Sequence, residues 1–440
     1  LLRFGTDGVR GVALRDITPH AVQLFARAAA RTLGAQSVVI GYDTRESSEQ
    51  LALAVAHGFH CEGVEVFIAG VAPTPAIAFL AEHCDAIGAV ITASHNPFTD
   101  NGLKFFGLGG GKLNDDQEAV IQGVYESLID EGAELLNGPD VFAHVGLDAY
   151  VAHVCASAVD LPSSLSIVVD CAHGAMSRIA PQILARLGID ATVVNNDPDG
   201  RNINANCGAA HSAALVAAVK TSGANMGIAF DGDGDRLIAV DQDGNVVDGD
   251  HLIAIAALDM KAHGKLTDNT VVVTVMTNIG FHRAMFTANI DVVTTPVGDR
   301  CVLAALQSSG AALGGEQSGH IVYRHFAATG DGLLAATQLF GALGRSRMSL
   351  AELARQSMTS MPQVLVNVVL PSGCAAAEII ENCANEIRSI EIELGDNGRV
   401  LVRPSGTEPL IRVMVEATTH AEATRFASRL AHVVSPSATT

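Results

Sequence analysis

Apolar residues make up 48% of the chain, yet they never run on for the roughly 18 positions that a bilayer-spanning helix requires. Basic residues are also in deficit: 27 Lys and Arg face 47 Asp and Glu, a formal charge of −20. Nucleic acid and anionic membrane both call for basic surface, so neither is expected as a partner, and an anionic ligand would need positive charge concentrated locally. The eight cysteines, at positions 61, 84, 155, 171, 207, 301, 374 and 383, show no Cys-x-x-Cys spacing. Several lie in apolar runs as small hydrophobes, which argues against both a zinc site and a disulfide framework. Low-complexity tracts and compositional linkers are missing too, so the domains are expected to pack closely rather than swing on tethers. The start, Leu1-Leu2-Arg3-Phe4-Gly5-Thr6-Asp7-Gly8, carries neither the apolar stretch nor the cleavage site of a secretory signal. A cytoplasmic location is the expectation, with a few residues preceding Leu1.

A chain of 440 residues exceeds one ordinary core, and 17% charged residues is too few for disorder, so two to four globular domains are expected. Short β-branched runs (Ser37–Gly41, Glu65–Ile68, Ile87–Ile91, Ser166–Val169, Ala191–Val194, Val271–Val275) alternate with helical patterns over Pro19–Leu33, Arg178–Leu187 and Asp299–Leu306. That alternation predicts α/β layers with parallel or mixed sheets, whose chemistry belongs in loops beyond strand ends. Candidate boundaries are Leu136–Asp140, Asp241–Asp250 and Met361–Pro362, followed by a strand-rich end and an amphipathic helix from His420 to Val433.

Asp231, Asp233 and Asp235 occupy alternate positions of Asp-Gly-Asp-Gly-Asp-Arg, directly after the apolar run Met226–Phe230. Crowded carboxylates repel unless a cation sits among them, and the interleaved glycines let the backbone wrap tightly enough for the oxygens to converge. Oxygen ligands without His or Cys point to magnesium; the bland alternative is an acidic turn between strands. Thr92-Ala93-Ser94-His95-Asn96-Pro97 follows another buried strand, so Ser94 is expected at a loop with its hydroxyl free, as a nucleophile or phosphate carrier requires. The same residues could form a polar turn, and Ser94 has no Gly-x-Ser-x-Gly elbow. Arg403-Pro404-Ser405-Gly406-Thr407-Glu408-Pro409, with Arg412 beyond, suits a phosphate dianion or a capped turn. Gly315-Glu316-Gln317-Ser318-Gly319-His320 offers the donors and acceptors that read hydroxyl-rich ligands, or a polar hairpin. Lys104 and Arg10 are cations beside glycines, each alone readable as a solvated surface charge.

Taken jointly, Phe4-Gly5-Thr6-Asp7-Gly8-Val9-Arg10-Gly11 and these four stretches, in this order and spacing, resemble the α-D-phosphohexomutase superfamily over the whole chain. Gly315–His320, Val297-Gly298-Asp299-Arg300 and Arg403–Glu416 are most similar to its bacterial phosphoglucosamine mutase branch; mannose and glucose relatives usually have Met where Gln317 stands. The resemblance implies an α/β protein of four domains around a central cleft. Three are related mixed-sheet α/β units, expected at 1–148, 149–247 and 248–361, and the fourth is a smaller C-terminal α+β domain at 362–440. It implies interconversion of glucosamine 6-phosphate and glucosamine 1-phosphate, on the way to UDP-N-acetylglucosamine and the cell wall, through a phosphoserine and a hexosamine 1,6-bisphosphate. Ser94 would carry the phosphoryl group, and one magnesium ion would be held by Asp231, Asp233, Asp235 and a Ser94 phosphate oxygen. Arg10, His95, Lys104 and His320 are the implied groups for proton management and charge stabilisation. Arg236, Glu316 and Ser318 would meet the sugar phosphate, and Arg403, Ser405, Gly406, Thr407 and Arg412 the phosphate that is not reacting. Besides the small phosphosugar, a second copy of the chain, forming a homodimer, is an expected partner. Mannose or glucose phosphates as substrate, or phosphosugar binding without catalysis, are the alternatives. Three positions depart from the branch: Thr92 where Ser is frequent, Asn225 for Asp, and Ala172-His173-Gly174 for Ala-Asn-Gly. The last two are expected to lie clear of the chemical loops.

Overall fold

The computed structural model describes residues 1–435 apart from 6, 140, 371–375 and 406–409. These residues form two compact units, Leu1–Met276 with Asn289–Ser357, and Thr277–Ala288 with the C-terminal residues from Met358.

The first unit contains three sheets built on one plan. In the first, Ser37–Tyr42 lies between the parallel strands Glu65–Val71 and Ile87–Ile91, and Asp100–Phe106 adds antiparallel beyond Ile87–Ile91. The second repeats the order with Asp190–Val194, Ser166–Asp170, Met226–Phe230 and antiparallel Leu237–Asp241. The third repeats it again with Asp291–Thr295, Thr270–Thr274, Leu313–Gly315 and antiparallel Ile321–Tyr323. Each sheet thus passes through two parallel crossovers and then reverses, and the reversing loop is the chemically loaded one: 92–99, 231–236 and 316–320. Parallel strands covered on both faces read as continuous apolar runs, as Ile87–Ile91 and Met226–Phe230 do, and all ten of those residues are buried. Ser94 and the three aspartates therefore emerge past the ends of these two strands, whereas Lys104 lies within the antiparallel strand Asp100–Phe106. Three extra edge strands, Val9–Val12 against Asp100–Phe106, Ala143–His144 against Glu65–Val71 and Val246–Val247 against Leu237–Asp241, complete the larger sheets.

Local signals fix the helices that cover these sheets. Pro19–Leu33 begins at the N-cap Thr18, whose hydroxyl accepts from Ala21 N at 3.2 Å, and stops at Gly34 in the left-handed conformation. It buries Val22, Phe25, Ala26 and Ala29, and Phe25 stacks on Tyr125 of the helix Asp115–Asp130 with ring centroids 3.8 Å apart. Truncating such a buried ring costs about 3–5 kcal/mol, so Phe25→Ala would seriously weaken this layer.

The second unit has a three-stranded antiparallel sheet in the order Gln363–Val369, Leu410–Glu416, Arg399–Pro404, backed by the helix His420–Val434. Ile411, Val413 and Val415 meet Phe426 and Leu430 in its core. The Thr277–Ala288 segment belongs to this unit: Arg399 donates to Thr277 O at 2.9 Å, and Met361 N donates to Asn278 Oδ1 at 2.9 Å. Among the described residues no helix is long and apolar enough to cross a membrane.

Candidate active site

Within the first unit the serine and aspartate loops meet. Ser94 is 1% exposed, and its hydroxyl is not free as expected but donates to Asp231 Oδ2 at 2.6 Å. The residue sits at φ +51°, a left-handed conformation costing an L-residue about 1–2 kcal/mol, so the loop around it must be firmly held. Thr92 Oγ1 accepts from Ser94 N at 2.9 Å and donates to Asp43 Oδ2 at 2.7 Å. A serine hydroxyl offers the same donor and acceptor, so Thr92 in place of Ser leaves this bonding intact.

The carboxylate oxygens of Asp231, Asp233 and Asp235 lie within 4.8 Å of one another, all buried. Gly232 allows this crowding, because a Cβ there would stand 2.7 Å from Ser94 O, and Gly234 turns the chain at φ +75°. Burial, and then repulsion from Asp235 and Asp233, pushes the Asp231 carboxyl well above the usual carboxylate range. Asp233 Oδ1 and Asp235 Oδ1 are buried with no hydrogen-bond partner among the described residues. Three converging hard oxygen donors, two of them unsatisfied, fit a divalent cation such as magnesium.

Lys104 Nζ lies 2.9 Å from Asp233 Oδ2, 2.8 Å from Asp7 Oδ2 and 3.6 Å from Asp235 Oδ2. Burial disfavours its charge, but Asp233, Asp7 and Asp235 outweigh that and hold the ammonium protonated far above its ordinary range. Asp7 also pairs with Arg10 and, at 2.6 Å, with Lys112, and Lys112 pairs with Asp299. His320 Nδ1 lies 3.6 Å from Asp235 Oδ2, while its Nε2 accepts from Gly330 N at 3.1 Å. Although burial opposes charge on His320, Asp235 raises its pKa. His95 Nδ1 is 3.4 Å from Ser94 Oγ. Burial, helped by the Arg236 and Arg10 cations, pushes that imidazole down to about 4, so it is neutral at pH 7.

Arg236 N donates to Asp231 Oδ1 at 3.2 Å, and its guanidinium faces Asp235 and Asp231 at 3.9 and 4.0 Å. Glu316 accepts from Gly298 N at 3.1 Å through Oε1 and exposes part of its side chain beside the exposed Ser318. Leu237 N donates to Gly319 O at 2.9 Å, pinning this third loop to the second sheet, and Gly249 N, at the start of the helix Gly249–Ala262, donates to Gln317 O at 3.0 Å. The sequence pattern thus brings Ser94, His95, Arg10, Lys104, the three aspartates, Arg236, Glu316 and His320 into one cluster. Arg403, Ser405 and Arg412 lie in the second unit, where Arg403 and Arg412 are register partners on adjacent strands. Gly406 and Thr407 fall outside the described residues.

Asp7, Lys112, Asp299, Arg45 and Asn204 are members of this cluster or its supports that sequence reasoning assigned no role. One departure also needs correcting. The Ala172–Gly174 stretch is not clear of the chemical loops, since Ala175 N donates to Gly232 O at 2.8 Å and a Cβ on Gly174 would stand 2.3 Å from that same oxygen. Asn225 is remote from the cluster and caps Ser166 N at 2.9 Å.

Comparison with known proteins covers nearly all of the chain. Residues 1–131, 148–244 and 248–361 match alpha/beta/alpha domains I, II and III of phosphoglucomutase/phosphomannomutase, and residues 365–433 match its C-terminal domain. A phosphoglucosamine mutase of Thermobifida fusca is 46% identical over 445 residues, covering 98% of this chain and 97% of that protein. Another, from Rhodococcus opacus, is 44% identical over 447 residues and covers 98% of both. Among solved structures, a phosphoglucomutase/phosphomannomutase family protein of Burkholderia thailandensis superposes with a TM-score of 0.82 at 25% identity, covering 99% of this chain and 98% of its own. An N-acetylphosphoglucosamine mutase of Aspergillus fumigatus, solved with GlcNAc-6P and magnesium, shares the fold with a TM-score of 0.70 at 18% identity, covering 98% and 95%.

Proposed function

The chain belongs to the phosphoglucosamine mutase branch of the α-D-phosphohexomutase superfamily, and from that premise we propose that Ser94 carries the phosphoryl group through which it interconverts glucosamine 6-phosphate and glucosamine 1-phosphate. The observation that carries the residue assignment is the buried Ser94 hydroxyl donating to one member of an aspartate trio that a protonated lysine also contacts. Phosphoryl transfer needs alignment and charge neutralisation more than covalent help.

In the proposed cycle the free sugar hydroxyl attacks the phosphoserine phosphorus. The bond from phosphorus to Ser94 Oγ breaks as the bond to the sugar oxygen forms, giving a 1,6-bisphosphate; the attacking hydroxyl gives up its proton and Ser94 Oγ takes one up. Reorientation within the site and return of the other phosphate to Ser94 complete the exchange. Lys104 offsets the charge that develops on the transferred oxygens; Arg236 and Arg10 add to that field. Magnesium held by Asp231, Asp233, Asp235 and a phosphoserine oxygen would neutralise the same group. Neutral His95 and the His320–Asp235 pair are the groups proposed for proton movement. Glu316 and Ser318 are assigned to the sugar hydroxyls. Arg403 and Arg412, register partners on adjacent strands, bring two guanidinium groups that suit a dianion, and Ser405, Gly406 and Thr407 are assigned to the same phosphate. The domain ranges 1–148, 149–247, 248–361 and 362–440 are proposed on the ground that each encloses one complete sheet.

The test compares wild type with Ser94→Ala on glucosamine 6-phosphate, with mannose and glucose phosphates run alongside. Loss of interconversion by a folded variant, and highest kcat/KM on the amino sugar, are the expected results. Undiminished turnover by Ser94→Ala would remove the serine from the mechanism.

A further inference from the structure

One buried guanidinium gathers the backbone of the serine loop. Arg45, 3% exposed, donates through Nη2 to Ser94 O and Asn96 O, both at 2.9 Å, and through Nη1 to Asp100 O at 2.8 Å and to Pro97 O. Its charge is balanced by Asp43, 2.8 Å from Nε, so this cation serves the loop rather than an anionic ligand. A second donor arrives from the other side. Asn204 Nδ2 donates to the same two carbonyls, Ser94 O at 2.9 Å and Asn96 O at 3.1 Å. Asn204 is itself anchored by its N–H to Ala172 O at 2.9 Å. Two carbonyls therefore each accept from the same two side chains, which uses both lone pairs of each oxygen. The amide also touches the metal loop: a Cβ on Gly232 would stand 2.8 Å from Asn204 Nδ2. It thus occupies the seam between the serine and the aspartate trio.

Granting that Ser94 carries the phosphoryl group, we infer that Asn204, seconded by Arg45, is a positioning residue that fixes the spacing between Ser94 and the aspartate loop for phosphoryl transfer. In one half-reaction a sugar hydroxyl attacks the phosphoserine, and in the other Ser94 Oγ attacks the phosphate at the opposite end of the bisphosphate, so the serine must return to a single place each time. Its left-handed backbone does not hold that place unaided. Asn204 touches no reacting atom; it acts through the carbonyls that aim Ser94 Oγ at Asp231. Displacing a reacting group by about 1 Å costs on the order of 100-fold in rate without a matching loss of binding.

Asn204 has φ +58°, so glycine deletes its amide without backbone strain, and aspartate keeps its shape while setting an acceptor against two acceptors. The full-length enzyme with magnesium is assayed as wild type, Asn204→Gly and Asn204→Asp. The readouts are kcat and KM for glucosamine 6-phosphate, melting temperature, and the single-turnover rate of Ser94 phosphorylation by glucose 1,6-bisphosphate. For both variants the inference predicts a kcat and a transfer rate lowered about 10- to 100-fold, KM within about twofold, and melting within a few degrees of wild type. Wild-type transfer rates in folded Asn204→Gly, or an activity loss that only follows loss of folded protein, overturn it. A wild-type enzyme that takes no phosphate on Ser94 overturns instead the reading on which the inference rests.

Discussion

Asp331 should make the first unit less stable as the solution turns from acid to neutral. It lies buried beneath Tyr150, whose hydroxyl donates to Asp331 Oδ2 at 2.9 Å, and it caps the helix Gly332–Ser346 by accepting from Leu334 N at 3.0 Å. Burial outweighs these bonds and pushes its carboxyl up to about 6, from an ordinary value of 3.8. Between those values the folded protein keeps a proton that the unfolded chain has released, so proton uptake favours the folded state. Stability therefore falls as pH rises through about 4 to 6, and the penalty levels off above that window at about 3 kcal/mol, each pH unit of displacement being worth about 1.4 kcal/mol. Asp331→Asn keeps an acceptor for Leu334 N and cannot ionise. Thermal unfolding of wild type and variant in half-unit steps from pH 4 to 8 measures the difference directly. Wild type should lose roughly 5 °C relative to the variant across that range, at about 2 °C per kcal/mol for a large domain. A difference that stays flat from pH 4 to 8 would refute the claim that this carboxyl is held protonated by burial.

Lys104→Met should lower kcat by about 100-fold or more and also destabilise the fold by about 3–5 kcal/mol, since it leaves Asp7, Asp233 and Asp235 without their shared cation; activity and denaturant midpoints check the two effects separately. Magnesium should raise the melting temperature of wild type, by about 2.7 kcal/mol in stability when present at about 100 times its Kd, and chelation should abolish turnover. Asp233→Asn should lose most of that thermal response, and an undiminished response would place the ion elsewhere. Gly232→Ala should cost about 1–3 kcal/mol and depress kcat, because its methyl group would press on Ser94 O.

The chemical loops were legible because their information is local. Asp231, Asp233 and Asp235 follow one another within a single turn, and the strand Met226–Phe230 that presents them is an unbroken apolar run. The alternation of strands and helices likewise announced the α/β layers, with Pro19–Leu33 ending where Gly34 permits the left-handed cap. Contacts closed across the fold left no such trace. Asp299 meets Lys112 from 187 residues away, and Asn204 reaches Ser94 O across 110. Arg45 looks in sequence like a surface charge after a strand. The usable signal was Asp43 two residues before it, an acid and a base together just past the end of the buried strand Ser37–Tyr42. The grouping of Thr277–Ala288 with the C-terminal residues was equally hidden, because it depends on bonds from Arg399 and Met361.

The most direct test of the central claim is to phosphorylate the enzyme with glucose 1,6-bisphosphate, map the phosphopeptide, and then add one equivalent of glucosamine 6-phosphate. The account predicts a single phosphate on the peptide containing Ser94, and its transfer to the sugar as a 1,6-bisphosphate within one turnover. A phosphate on another residue, or one that stays on Ser94 while the sugar is isomerised, would contradict it.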